Sequence, residues 1–281
     1  MANEGSWDRI VVPLDGSALA ERALGPAAAL AARLGAAVEL LTIRWPATSV
    51  ATCRAYLDTR AFALTQLPAP ADVRVVTEGD APDVIAGAAV PGSLVCMATH
   101  GRGGVARAAL GSVAEAVLGR ATRPILLVGP EAELTPEVLA LPLVVLCTDG
   151  SERSRTAVEP AYELARAIGA AVRVVQVVTA PEVVAFHRGT SEQRAALEAV
   201  VARLAEAGVT ADLEVPQGPD AAEAILAVAA SGGIAALVLA THGRTGLARV
   251  ALGSVAARVV RAAPCPVLAV PPGYPTAGPR A

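Results

Sequence analysis

Ala98-Thr99-His100-Gly101-Arg102, running on to Leu110-Gly111-Ser112, occurs twice in this chain. Its second copy is Ala240-Thr241-His242-Gly243-Arg244, running on to Leu252-Gly253-Ser254. The offset is 142 residues and holds without a gap from Ala98/Ala240 to Val128/Val270. Of these 31 paired positions 19 are identical, and they include Thr-His-Gly-Arg, Ala-Arg and Gly-Ser, which are polar or backbone-special residues that packing alone does not require. A duplicated site is the economical reading. A short apolar run bounded by breakers precedes each copy, Ser93–Ala98 after Pro91-Gly92 and Ala236–Ala240 after Gly232-Gly233. Such runs read as buried strands of a parallel sheet. A helical pattern follows each copy, with Ser112 or Ser254 placed as its N-cap. Residues 101–111 are therefore expected to form a long loop from a strand's carboxyl end to a helix N-terminus. Strand-to-helix loops are commonly about two to six residues, so the excess length points to function. Glycines permit close approach of backbone, the N–H groups of Gly111, Ser112 and Val113 face outward, and the helix dipole favours an anion. Arg102 and Arg107 add positive charge. Together these residues describe a phosphate cradle.

Working outward, Arg9–Leu14 reads as a first strand ending at Asp15-Gly16-Ser17, and Leu143–Thr148 as its twin ending at Asp149-Gly150-Ser151. Asp15 and Asp149 either face a ligand from the end of a central strand or cap the next helix; the local sequence allows both. A helix is expected over about Ala18 to Leu34, ended by Gly35, with a twin over about Glu152 to Ile168 ended by Gly169. Second strands (Ala37–Ile43, Val172–Val178) and short third strands (Asp72–Thr77, Ala211–Val215) follow in each half. The halves differ between these strands, where Ser191–Ala207 is amphipathic and Ser49–Leu67 is poorly patterned. Each half closes on a post-proline strand, Ile125–Val128 or Val267–Val270. The order βαβαβαβαβ predicts an α/β fold, a doubly wound parallel five-stranded sheet built twice. The expected division is a first domain over 1–130, a linker over 131–142, a second domain over 143–272 and a flexible tail over 273–281. Ligands in such sheets bind outside the carboxyl ends of the strands where the order reverses. There Asp15 would meet the Gly101–Ser112 loop, and a carboxylate beside a phosphate cradle suits a nucleotide's ribose.

Composition narrows the classes. The formal net charge of −3 and the 2% aromatic content argue against a nucleic-acid partner. No apolar run is long enough for a membrane span, and the acidic start Met1–Asp8 lacks the apolar core of a signal peptide, so a cytoplasmic location is expected. Cys53, Cys96, Cys147 and Cys265 have no metal-ligand spacing and read as structural thiols in a reducing compartment. All 23 basic residues are arginine, which excludes a Walker A loop and any lysine Schiff base.

On these motifs the sequence resembles the universal stress protein (UspA) family, as a tandem of two domains over nearly the whole chain. The family's nucleotide-binding members carry Gly-x-x-Gly, nine residues, then Gly-Ser/Thr. Gly101, nine residues and Gly111-Ser112 match this pattern, as do Gly243, nine residues and Gly253-Ser254. Asp-Gly-Ser after the first strand matches at Asp15 and Asp149. The resemblance implies an adenine nucleotide alpha hydrolase-like fold with strand order 3-2-1-4-5. It implies ATP, AMP or ADP bound with Asp15 and Asp149 by the ribose. The glycines, Ser112, Ser254, Val113 and Val255 would lie at the phosphates, and Ile43 and Val177 near the adenine. It also implies pairing through the last strands, as an intramolecular pseudo-dimer of the two halves or as a homodimer. Mg²⁺ would be held mainly by the phosphates. The departure is alanine, Ala98 and Ala240, where the motif has its first glycine. Arg102 and Arg244 either contact phosphate or serve as loop charges. His100 and His242 are the candidates for a slow hydrolase. Against nucleotide binding stands a nucleotide-free dimerisation or partner-binding module.

Overall fold

The structure, a computed structural model, describes residues 7–64, 70–102, 110–133, 138–178, 194–242 and 252–275. The first half runs β1 (Arg9–Pro13), α1 (Ala18–Glu21), α2 (Leu24–Leu34), β2 (Ala37–Ile43), α3 (Val50–Ala63), β3 (Asp72–Val76), α4 (Ala81–Ala88), β4 (Ser93–Ala98), α5 (Ser112–Arg120) and β5 (Ile125–Val128). The second half repeats it as β6 (Leu143–Cys147), α6 (Glu152–Arg155), α7 (Val158–Ile168), β7 (Ala171–Val175), a helix α8 over 194–206, β8 (Ala211–Glu214), α9 (Ala221–Ala230), β9 (Ile234–Ala240), α10 (Ser254–Ala262) and β10 (Val267–Val270).

Both halves have the expected order 3-2-1-4-5 with parallel pairing, and the two sheets join into one of ten strands, β3-β2-β1-β4-β5-β10-β9-β6-β7-β8. The join is antiparallel, with Leu268 opposite Leu126 and Val267 opposite Leu127, all fully buried. Alternation along the strands divides the interior into two layers. Ile10, Val12, Val144 and Leu146 face a layer that includes α2 and α7, while Val11 and Val145 face one that includes α5 and α10. Since both faces of the sheet are covered, its strands are apolar at nearly every position. Across the two halves α2 meets α7, and Arg33 Nη1 donates to the Ile168 carbonyl at 2.8 Å.

Two local expectations need correction. Each helix expected after the first strand is broken in two, at Arg22-Ala23 and at Thr156-Ala157. Pro26 and Pro160 are the cause. Proline has no N–H and crowds the carbonyl four residues back, so it is accepted in the first turn of a new helix but not inside a continuous one. Pro26 and Pro160 are each the third residue of α2 and α7. Ser112 and Ser254, expected as N-caps, are instead the first helical residues, and Gly111 and Gly253 cap the helices without a side chain. The described residues of the connecting segment include packed ones. Leu139 is fully buried, and Arg22 Nη2 donates to the carbonyls of Ala132 (2.7 Å) and Pro130 (3.3 Å). Past β10, Tyr274 lies against the core with the Arg123 guanidinium 5.8 Å from its ring centre.

Candidate functional site

At the carboxyl ends of β1 and β4 the first half opens into a crevice of about 570 Å³. Its walls include Asp15, Ile43, Ala98, Gly101, Arg102, Gly111, Ser112 and Val113, so the fold brings these sequence-nominated residues together, while Arg107 lies outside the described residues. Their positions have local causes. β1 ends at Pro13, and Gly16 turns the chain with φ +84°, so that Asp15 stands at the strand's mouth. Asp15 Oδ1 accepts the Ser17 N–H (2.9 Å) and hydroxyl (2.6 Å), while Oδ2 accepts the Arg102 N–H (2.7 Å). Ser17 in turn caps α1 through the Ala20 N–H at 3.1 Å. Asp15 therefore both organises the turn and ties it to the loop leaving β4. Burial works to raise its pKa. The bonds from the Ser17 hydroxyl and the Arg102 and Ser17 amides, with the Arg102 charge, outweigh burial and hold the carboxyl below its ordinary value. A carboxylate has about four acceptor positions. Three are taken, and one remains for a ligand hydroxyl.

The loop's glycines are needed for space. A Cβ on Gly101 would collide with Asp15 Oδ2, and one on Gly111 would lie 2.5 Å from the Thr99 carbonyl oxygen. That oxygen accepts the Gly111 N–H at 3.0 Å, which aims α5 across the end of β4. The first turn of α5 then presents the N–H groups of Ser112, Val113 and Ala114, which have no acceptor within the helix. Among the described residues the one non-glycine with positive φ is Ala47, so Ala98 and Ala240 keep ordinary strand geometry where the family motif has glycine.

Arg102 does something the sequence did not disclose. Its guanidinium carbon lies 4.2 Å from the ring centre of Trp45, just past β2, and both side chains sit over Gly16. Trp45 is held from behind. Its Nε1–H donates to Thr42 Oγ1 (3.1 Å), Thr42 donates to the Leu14 carbonyl (2.6 Å), and Tyr56 meets the indole edge-on at 5.2 Å. The available signal was a rare tryptophan two residues beyond Ile43 in a chain with two. His100 also lines the crevice, with Nδ1 2.9 Å from Thr99 Oγ1.

The second half has a smaller crevice of about 230 Å³, lined by Asp149, Val177, Ala240, His242, Gly253, Ser254 and Val255. Gly243 and Arg244 lie outside the described residues. Asp149 Oδ1 accepts the Ser151 N–H at 2.9 Å, and the Gly253 N–H donates to the Thr241 carbonyl at 2.7 Å, repeating the first half. By the 134-residue offset that pairs Asp15 with Asp149 and Ile43 with Val177, the counterpart of Trp45 is Thr179. Among the described residues no group of three or more His, Cys, Asp or Glu is placed to hold a metal ion, and no helix is long and apolar enough to cross a membrane.

The fold and site define a tandem doubly wound α/β protein with a glycine-walled crevice at each point where the strand order reverses. The profile of the Universal stress protein family matches residues 6–129 and 143–271, and the chain belongs to that family. A universal stress protein of Methanocaldococcus jannaschii is 35% identical over 137 residues, covering 45% of this chain and 80% of that protein. Among solved structures, a universal stress protein from Archaeoglobus fulgidus superimposes with a TM-score of 0.69 at 18% identity, over 95% of this chain and 99% of the other. A functionally unknown protein from Pseudomonas aeruginosa gives the same score and identity over 96% and 94%. At these identities the two structures establish the shared tandem fold.

Proposed function

We propose that this universal stress protein binds an adenine nucleotide, ATP or its AMP or ADP relatives, in the first-half crevice and acts as a regulator in the cytoplasm. The observation that carries this reading is the crowding at Gly101 and Gly111. A side chain at Gly111 would strike the Thr99 carbonyl and one at Gly101 would displace the Asp15 carboxylate, at the point where the amides of α5 face a crevice of about 570 Å³. Small-molecule pockets are commonly about 300–1,000 Å³, and helix N-termini favour phosphate. Asp15 keeps one acceptor position for a ribose hydroxyl. Because its other positions are engaged, Mg²⁺ would be held mainly by the phosphates. Ile43 borders the base and Ser112 and Val113 the phosphates. Asp149, Val177, Ala240, Gly253, Ser254 and Val255 would serve a second, weaker site in the same manner, with Gly243 and Arg244, which lie outside the described residues, as its expected loop members.

A regulatory role is favoured over turnover. Asp15 is committed to the turn and to the Arg102 amide, which leaves it a poor base. The nucleotide-free docking module loses support because its docking strands, β5 and β10, are paired with each other within the chain.

The test is mass spectrometry of small molecules released on denaturing the purified protein, followed by calorimetric titration of the stripped protein with ATP and AMP. About one nucleotide per chain is expected. No released nucleotide and no heat at millimolar ATP would refute the proposal.

A further inference from the structure

We propose that the indole face of Trp45 is the base platform of the first crevice, and that Arg102 covers this face until a ligand's phosphates draw the guanidinium away. The inference rests on the nucleotide reading above and deepens it. Phosphate recognition and base recognition then compete for, or release, one side chain.

Three observations lead there. The first is the bracing of Trp45. Behind Thr42 and Tyr56 stands a further layer, in which Tyr56 donates to Glu21 Oε1 at 2.8 Å and Arg60 pairs with the same carboxylate oxygen at 2.9 Å. A half-buried indole fixed at its N–H and its edge keeps one orientation while its face meets a charged side chain in the crevice wall. Such a ring is preorganised for stacking, and stacking on a π-face is a general way to hold a nucleobase.

The second is how Arg102 is attached. Its amide is bound to Asp15, which anchors the backbone, whereas its guanidinium stacks on the ring with the Asp15 charge as a second attraction. Cation–π contacts of this kind are modest, equivalent to about two- to thirtyfold in an equilibrium. A bound triphosphate offers a guanidinium stronger, charge-assisted hydrogen bonds. The side chain can therefore leave the ring while its backbone stays in place. The third is the asymmetry of the repeat. Thr179 at the corresponding position offers no ring, and among the described residues lining the second crevice there is no tryptophan, tyrosine or phenylalanine.

Calorimetry on the full chain tests this with adenosine, ATP and tripolyphosphate as probes, using wild type, Arg102→Ala, Trp45→Leu and Trp45→Phe, with thermal melts confirming that each variant is folded. Arg102→Ala uncovers the ring, so adenosine is expected to bind about two- to thirtyfold more tightly while tripolyphosphate weakens. Trp45→Leu is expected to weaken adenosine and ATP by about five- to a hundred-and-fifty-fold and to leave tripolyphosphate no weaker; Trp45→Phe retains most of the affinity. In wild type, ATP is also expected to change the emission of Trp45, against the constant background of the buried Trp7. Adenosine and ATP binding unchanged in Trp45→Leu, or adenosine weakened in Arg102→Ala, overturns the platform while leaving the nucleotide site standing. Wild type that binds neither ATP nor adenosine overturns the nucleotide reading and the platform with it.

Discussion

Alanine at Gly111 and alanine at Gly253 are the same substitution at equivalent helix caps, yet the structure assigns them different outcomes. Gly111 has φ −61° and ψ 141°, and Gly253 has φ −62° and ψ 157°, backbone that alanine adopts without strain. Reduced freedom of the unfolded chain should therefore stabilise either variant by about 0.4–1 kcal/mol. Space separates the two. The new methyl at 111 would stand 2.5 Å from the Thr99 carbonyl oxygen, so about 0.9 Å of retreat is needed to reach ordinary contact at 3.4 Å. At 253 the distance to the Thr241 carbonyl oxygen is already 3.4 Å. Crowding of this kind costs about 1–3 kcal/mol. Retreat also breaks the Gly111–Thr99 hydrogen bond, which shares the crowded oxygen and contributes about 1 kcal/mol. Gly111→Ala is thus expected to lose about 1–3.5 kcal/mol net, and Gly253→Ala to be neutral or gain up to about 1 kcal/mol. Urea unfolding followed by circular dichroism, with both variants and wild type in one buffer, measures the difference. Equal midpoint shifts, or greater damage at 253, would refute the argument that close approach imposes glycine at 111.

Glu163 on α7 is pushed up to about 8, first by burial and then by the charge of Glu159, with Arg123 opposing. A carboxyl whose folded pKa is raised binds a proton more tightly when folded. Its contribution is complete below the ordinary value near 4.5 and lost as pH rises through about 8. Glu163→Gln should melt with wild type at pH 5 and above it at pH 9; parallel melting curves across that range would dismiss the assignment. All four cysteines are buried, and burial pushes the Cys96, Cys147 and Cys265 thiols up to about 12. A thiol reagent should label none in the native protein within minutes and four in denaturant, and rapid native labelling would contradict the packing. Leu126, opposite Leu268 at the join of the half-sheets, should cost about 2–5 kcal/mol when truncated to alanine, read from the same urea titration; a change under 0.5 kcal/mol would mean that the join bears little of the stability. If ATP is turned over at all, alanine at His100 and His242 should leave the rate unchanged, and a tenfold loss would restore the imidazoles as catalytic candidates.

The strands and their order were legible because each is a short apolar run between breakers and the whole pattern occurs twice. Boundaries set by one residue's sterics were harder to read. Periodicity carried a helix through Ala23, whereas the missing N–H of Pro26 ended it, although the proline was in plain view. Serine was the natural cap before α5, but the Thr99 carbonyl leaves room only for glycine, a constraint created by a strand that arrives from elsewhere in the fold. Trp45 escaped for a different reason. A 2% aromatic content argues against many stacking platforms, but an average cannot say where a single ring will be placed. The burial of Leu139 within the connecting segment and the hold of Arg22 on its carbonyls were equally hidden, because a proline-rich stretch reads as a tether until its carbonyls find a donor.

The antiparallel meeting of β5 with β10 fixes which way each half looks. Strands within a half run the same way, so reversing one half against the other sends their carboxyl ends to opposite edges of the common sheet. The two mouths therefore open back to back. One flat surface cannot rest on both. The route between them through the sheet crosses β4, β5, β10 and β9, three strand spacings or about 14 Å of hydrogen-bonded backbone, and the contact of α2 with α7 is a second route.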